Sequence, residues 1–348
     1  MKVDLAFPLD GPADVRDAAT RGEQAGYAAL WTAETQHDPF VALTLAATVT
    51  RRPQLGTAIA LAFARNPMSL AVQANDLQTI SGGRLLLGLG SQIKTHITRR
   101  FSMPWSHPAA RMREYVLALR AIWACWNDGS RLSFRGDFYT HTVMTPFFSP
   151  GPSPFGPPPV LLAGVGPVMT AVAGEVADGF LCHGFTTERY LREVTLPALA
   201  QGRQRTAASP ATASQTTAPQ TTASRDDFEV AGSPMVATGR TEEELAAAAA
   251  GVRSQIAFYG STPAYRPVLE RHGWGPLADE LHTLSRTGRW DDMAALIDDD
   301  VLAAFAVVAE PDRVAPELLG RYGDIMTRMT LYTPYQACLL YTSPSPRD

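Results

Sequence analysis

The chain has 348 residues, of which 45% are apolar, and its 30 basic and 34 acidic residues give a net charge of −4. This length suits one large α/β barrel or two smaller domains. The nearly balanced charge gives no indication of nucleic-acid binding, so no nucleic-acid partner is expected.

Strand and helix patterns alternate along the first third of the chain. Apolar runs predict strands at 2–7, 27–32, 54–60 and 84–90. Amphipathic stretches with capping and stop residues predict helices at 12–25, 39–50, 67–81 and 108–126. A long loop at 90–107 precedes the last of these helices.

The alternation resumes after an inserted hairpin at 131–145. Strands are predicted at 160–164, 179–182, 228–236 and 325–332. Helices are predicted at 167–176, 187–201 and 241–257, and 262–322 reads as mostly helical. Eight strands that alternate with helices predict an α/β fold, a (β/α)₈ TIM barrel with insertions.

Two segments break this pattern. Residues 205–225 contain almost only small and polar side chains, which predicts a disordered insertion in a single domain of residues 1–337. Residues 338–348 contain two Ser-Pro steps where an eighth helix is needed. We expect that helix to be missing and the tail to be non-native.

The cysteines and the chain start bear on localisation. Cys125, Cys182 and Cys338 are widely spaced without a CxxC pair, so reduced thiols in a cytoplasmic protein are expected, with no metal site. Neither a signal peptide nor an apolar stretch of about 18 residues occurs, so no membrane association is expected.

Barrels of this kind carry their chemistry at the carboxyl ends of the strands. After the second predicted strand, Glu34 and His37 are candidates for proton transfer or cofactor contact. Asp38 stands directly before Pro39, and helix capping explains it better than catalysis does.

The third and fourth predicted strands end in different sequences. Residues 56–67 carry no charge at the strand end and could support a flat ring or simply pack the core. After the fourth strand, small residues would leave room for a ligand and polar ones would supply donors, namely Gly90, Ser91, Gln92, Lys94 and His96.

A Gly-Val-Gly-Pro turn joins the fifth predicted strand to its helix. The main-chain N–H groups around Gly164, Val165, Gly166 and Pro167 would lie at a helix N-terminus, where a phosphate can bind. The alternative is a tight turn that serves packing only.

These segments together resemble the luciferase-like monooxygenase superfamily, in particular its coenzyme F420-dependent oxidoreductase branch. The motifs are "LGTAIALAFARNP", "RLLLGLGSQIKTHITRRFSMPW" and "VLLAGVGPVMTAVAGEVADGF". The resemblance implies a flavin-like ring at the barrel mouth, its phosphate at Gly164–Pro167, and a non-proline cis peptide at Ala58-Ile59. It also places His96 near the ring as a proton donor or ring contact.

The sequence departs from the sugar-phosphate dehydrogenases of that branch. Their Asp-His pair after strand 2 is replaced here by Glu34-Thr35, and Ile93 stands where they carry a glutamate. Their substrate is therefore not implied for this chain.

The resemblance predicts hydride transfer between F420 and an unknown organic substrate, in a homodimer. Two alternatives remain open: an FMN-dependent monooxygenase that uses O₂, and a non-catalytic barrel that binds flavin or F420. The fifth turn favours F420, because FMN-dependent relatives have more serine there.

Overall fold

The computed structural model describes residues 1–7, 13–208 and 228–335. The predicted tail at 338–348 lies outside these residues, and so does the predicted insertion except for 205–208, which end a helix.

The elements of the first half follow the predicted order. In sequence they are β1 (Lys2–Ala6), α1 (Val15–Gln24), β2 (Ala29–Thr32), α2 (Pro39–Val49), β3 (Gln54–Thr57), β4 (Ala60–Leu61), α3 (Pro67–Ser81), β5 (Leu85–Gly90), α4 (Pro108–Asp128), β6 (Phe134–Arg135), β7 (Thr140–His141), β8 (Val160–Gly164) and α5 (Pro167–Val176).

The second half contains more helices than strands. Its elements are β9 (Gly179–Cys182), α6 (Glu188–Tyr190), α7 (Leu196–Ala208), β10 (Glu229–Gly232), β11 (Met235–Ala237), α8 (Glu242–Gly260), α9 (Arg266–Glu270), α10 (Gly275–Arg286), α11 (Trp290–Ala295), α12 (Asp299–Phe305), β12 (Ala306–Val308), α13 (Pro311–Tyr322) and β13 (Arg328–Thr330).

The chain divides into two compact units. The first unit comprises Lys2–Leu181 and Pro197–Val230, and the second comprises Met1, Cys182–Leu196 and the chain from Ala231 onward.

Parallel strands form the centre of the first unit. The pairs run from β1 to β2, β2 to β3, β3 to β5 and β5 to β8. In this register Leu5 lies beside Leu30, and Leu55 lies beside Leu85. β2 and β5 are buried along their whole length, which explains why their sequences read as continuous apolar runs.

The second unit has its own apolar core. β10 pairs with β13, and β11 pairs with β12, both in parallel. Met235, Val252, Ile256, Leu269 and Leu281 belong to a buried cluster that α8 to α12 build around β11 and β12.

Two predicted strands are each broken. The strand expected at 54–60 is interrupted between β3 and β4, where the Ala58-Ile59 peptide bond is cis, as the resemblance implied. The strand expected at 228–236 ends at Gly232 and resumes at Met235. Pro234 lies between the two parts and has no N–H to donate to a sheet.

No helix in the described ranges is long and apolar enough to cross a membrane. In the same ranges, no group of three or more His, Cys, Asp or Glu side chains could hold a metal ion.

Candidate cofactor site

Glu34 lies just after β2 and is fixed by the segment that follows β3. Its main-chain N–H donates to Ile59 O at 3.1 Å. Its Oε2 accepts from Leu61 N at 2.8 Å and from Arg65 Nη1 at 2.5 Å. The side chain is only 9% exposed, and these contacts hold the β4 segment in place.

Arg65 bridges two carboxylates after β2. Besides Glu34 it binds Asp38 through Nη2 and Oδ2 at 2.9 Å, and its guanidinium lies 5.6 Å from the centre of the Phe40 ring. Burial lowers the pKa of Arg65, but the two carboxylates more than offset this, so the pKa is raised above its usual value. Arg65 therefore stays charged in a partly buried position.

Asp38 caps α2, as the sequence predicted. Its Oδ1 accepts from Phe40 N at 2.8 Å and from Val41 N at 3.4 Å, and Pro39 occupies the first turn. Arg65 was not predicted as a site residue, although its position directly before Asn66, the N-cap of α3, could have indicated it.

The end of β3 is tied to both neighbouring strands. Ala58 N donates to Thr32 O at 2.8 Å, and Thr57 Oγ1 donates to Gly88 O at 2.7 Å. The hydroxyl of Thr32 is buried and has no hydrogen-bond partner among the described residues. The cis peptide at Ala58-Ile59 is thus anchored from the strands on either side.

The end of β3 packs closely against two glycines of β5, and the backbone contact makes glycine necessary at Gly88. A Cβ at Gly88 would lie 1.8 Å from Thr57 O, and a Cβ at Gly90 would lie 2.1 Å from Cδ1 of Ile59. The room expected here for a ligand is therefore filled by the end of β3. Gly90 acts by letting Ile59 approach.

The loop after β5 presents polar side chains to solvent. Gln92 adopts a positive φ of 59°, and its Oε1 accepts from Ile93 N at 2.9 Å, while Ser91 Oγ donates to Gln92 O at 3.1 Å. Lys94 and His96 are exposed, and a short π-helical turn begins at His96.

Arg100 links two of the loops that carry candidate residues. It closes the π-helical turn and donates from Nη2 to Thr35 O at 2.7 Å, between Glu34 and the half-buried His37. Arg100 thus anchors the loop after β5 to the loop after β2.

The turn from β8 into α5 is open to solvent on its N-terminal side. Gly166 is the N-cap of α5, Pro167 is the first helical residue, and no acidic residue lies in the first turn. A Cβ at Gly166 would meet no atom within 4 Å. Gly164 differs, because a Cβ there would lie 3.1 Å from Met169 Cγ.

Comparison with known proteins gives the family. Residues 4–328 match the model described as luciferase-like monooxygenase. The chain belongs to this family. The predicted family is thereby confirmed, and its members are oxidoreductases and monooxygenases.

Two relatives from Mycobacterium tuberculosis differ in how similar their sequences are to this chain. The uncharacterized protein Rv1360 is 52% identical over 329 residues, which cover 94% of this luciferase-like chain and 92% of that protein. The putative coenzyme F420-dependent oxidoreductase Rv3520c is 27% identical over 322 residues, which cover 88% and 87%.

A solved structure shows the fold. The coenzyme F420 dependent tetrahydromethanopterin reductase from Methanopyrus kandleri matches with a TM-score of 0.72 at 20% identity, over 94% of this chain and 92% of that one. The predicted fold is confirmed as a closed barrel of eight parallel strands with surrounding helices.

The N-terminus of α5 has the chemistry to hold a phosphate in this luciferase-like chain. The first N–H groups of a helix have no partner within the helix, and the helix dipole favours negative charge there. Open space beside Gly166 lets an anion approach the main chain, and no carboxylate in the first turn opposes it.

Proposed function

We propose that this protein is an F420-dependent oxidoreductase that transfers a hydride between the deazaflavin cofactor and an organic substrate. The observation that carries the proposal is the open Gly164–Pro167 turn at the N-terminus of α5. The 27% identity with a putative coenzyme F420-dependent oxidoreductase over most of both chains supports the same cofactor.

The residues divide into cofactor-holding and positioning groups. Main-chain N–H groups around the Gly164–Pro167 turn, in which Pro167 itself has none, would bind the cofactor phosphate, and the cis bend at Ala58-Ile59 would support its ring. Ser91, Gln92 and Lys94 would contribute polar contacts from the loop after β5. When bound, the cofactor supplies the hydride chemistry, and the protein supplies position and electrostatics.

We assign proton handling to a histidine and not to Glu34. The Glu34 carboxylate is engaged by Arg65 and by the main chain of β4. His96 is exposed at the start of the π-helical turn, and His37 is half-buried after β2. We assign His96 as the proton donor and His37 as a substrate contact.

The cofactor assignment is tested by measuring F420 and FMN affinities for the wild type, Gly166→Asp and Gly166→Ala. F420 should bind more tightly than FMN. Aspartate should weaken F420 binding by about tenfold or more, because its charge lies where the phosphate approaches. Alanine should change little, because Gly166 has φ −99° and free space around it.

Two results would contradict the assignment. A yellow protein that is purified with stoichiometric FMN would favour the FMN-dependent monooxygenase. Unchanged F420 affinity in folded Gly166→Asp would show that the turn is structural only.

The proton-donor assignment is tested separately with His96→Ala. Turnover at saturating cofactor should fall on the order of 10²-fold, with a small change in cofactor affinity, because a proton donor acts in the transition state. A loss of affinity with unchanged turnover would make His96 a binding residue only.

A further inference from the structure

A second group of polar side chains lies at strand ends of the second unit. His183 directly follows β9, and Tyr332 lies two residues beyond β13. Between them, a Cβ at Gly184 would lie 3.1 Å from the Tyr332 ring and 3.2 Å from Ser233 O, just after β10. Three strand ends therefore converge on this point, at the end of a (β/α)₈ barrel where sites form.

The hydrogen bonds of His183 define the protonation of its ring. Nδ1 accepts from Phe185 N at 3.0 Å, so the proton of the neutral imidazole lies on Nε2. Nε2 lies 3.0 Å from the Tyr265 hydroxyl and donates to it. Because that hydroxyl oxygen accepts from His183, its own proton is directed to another acceptor.

Aromatic stacking fixes the two rings of this pair. The His183 and Tyr265 rings stack with their centres 4.7 Å apart at 28°, and Tyr259 meets His183 edge-on at 4.8 Å. The centre of the Phe185 ring lies 5.4 Å from the centre of the Tyr265 ring. These contacts hold the Tyr265 hydroxyl in one direction.

Tyr259 and Tyr332 form a second hydroxyl pair. Their oxygens are 3.3 Å apart, so one donates to the other and the acceptor keeps a proton to give. His183, Tyr259, Tyr265 and Tyr332, here called the His-Tyr cluster, are all half-buried, so each residue keeps some exposed surface. The cluster thus offers two hydroxyl donors among aromatic faces.

The His-Tyr cluster is electrically neutral. Burial lowers the pKa of His183 to about 4 and raises the pKa of Tyr265 to about 12, with Tyr259 adding to the latter. No charged side chain in the described ranges contributes to either pKa. A buried anion would have no oppositely charged partner here, so the cluster favours an uncharged oxygen acceptor.

We propose that the His-Tyr cluster binds the carbonyl oxygen of an uncharged, flat organic substrate, with the Tyr265 hydroxyl as the donor and His183 as its positioning residue. As the substrate site of an oxidoreductase the cluster rests on the function proposed above. As a binding site it stands without the cofactor.

The experiment measures binding of acetophenone and benzoate to the cofactor-free protein by saturation-transfer NMR and titration. The two probes share a ring and a carbonyl oxygen and differ in charge. Acetophenone should bind, and benzoate should not. Tyr265→Phe should weaken acetophenone binding by about tenfold through the lost hydrogen bond, while the buried Tyr322→Phe of the same unit should leave it unchanged.

The positioning role of His183 has a spectroscopic readout. The ¹⁵N signals of the imidazole should report a protonated Nε2 and an unprotonated Nδ1, and the Nε2 signal should shift when acetophenone binds. In Tyr265→Phe the acetophenone-induced shift should disappear. His183→Gln, whose side-chain amide can also donate, should retain more acetophenone affinity than His183→Leu.

Several results would overturn the proposal: no acetophenone binding, equal binding of benzoate, or unchanged affinity in Tyr265→Phe. F420 affinity, measured on the same samples, separates the two claims. Acetophenone binding in a protein that binds no F420 would support the His-Tyr cluster as a binding site and would contradict the F420-dependent oxidoreductase proposed above.

Discussion

The loops after β2 and after β9 both place polar side chains at the carboxyl end of a strand, but their electrostatics are opposite. After β2, two carboxylates hold the guanidinium of Arg65, and each charged group is committed to another. After β9, His183 is uncharged and is joined by one neutral hydrogen bond to Tyr265, which follows α8. The first arrangement fixes the backbone, whereas the second leaves hydroxyl protons for a ligand.

The largest effect that tests this contrast is expected for Glu34→Gln. Arg65 is only 15% exposed, and removing a partner of a buried ion pair costs about 3–5 kcal/mol. Because Asp38 still pairs with Arg65, we expect the free energy of unfolding in urea to fall by about 3 kcal/mol.

Glu317→Gln is the matched control for this change. Glu317 pairs with Arg313 on the surface, and such exposed pairs contribute less than about 1 kcal/mol. Equal losses of stability in the two variants would mean that the Glu34 pair is no more than a surface contact.

The second-largest effect is a pH dependence of the free energy of unfolding, which arises from His183 in the uncharged loop after β9. Burial lowers the pKa of His183 from 6.5 to about 4 in the folded protein, so the unfolded chain binds the extra proton first. The stability contributed by the neutral His183 ring is fully present above pH 6.5 and is lost as the pH falls towards 4. Protonation of His183 should therefore lower the free energy of unfolding by about 3 kcal/mol at most.

Unfolding free energies at pH 7.5 and 4.5 for the wild type and His183→Gln isolate this term. The wild type should lose more stability on acidification than the variant, because only the wild type must protonate a buried ring. Parallel pH profiles would show that His183 titrates normally.

The smallest effect compares two tyrosine hydroxyls. Tyr265→Phe removes a hydroxyl that accepts from His183 and should cost about 1 kcal/mol of stability. The Tyr115 hydroxyl is buried with no partner among the described residues, so Tyr115→Phe should be neutral or stabilising. Thermal unfolding of both variants measures the difference, and a stabilising Tyr265→Phe would argue against the His183 bond.

Local features of the site could be predicted from the sequence. The Asp38 cap and the Gly164–Pro167 turn are encoded by neighbouring residues, and the cis bond at Ala58-Ile59 followed from the family motif. Most of the strand and helix order was predictable for the same reason, because strand runs and caps are short-range signals.

Contacts between distant residues could not be predicted. Glu34 meets Arg65 across 31 positions, and His183 meets Tyr265 across 82 positions. Neither pair has a sequence signal that links its members, since tertiary packing brings them together. β12 was also missed, because Ala306–Val308 continue the apolar pattern of α12 and become a strand only by pairing with β11.

The glycines of β5 limit which substitutions this protein can accept. At Gly88 even one methyl group would collide with the carbonyl of Thr57, which belongs to a neighbouring backbone and cannot rotate away. At Gly90 the obstacle is the tip of Ile59, so a smaller residue at 59 would be needed first. A directed-evolution library should therefore leave Gly88 unchanged and vary 59 and 90 only as a pair.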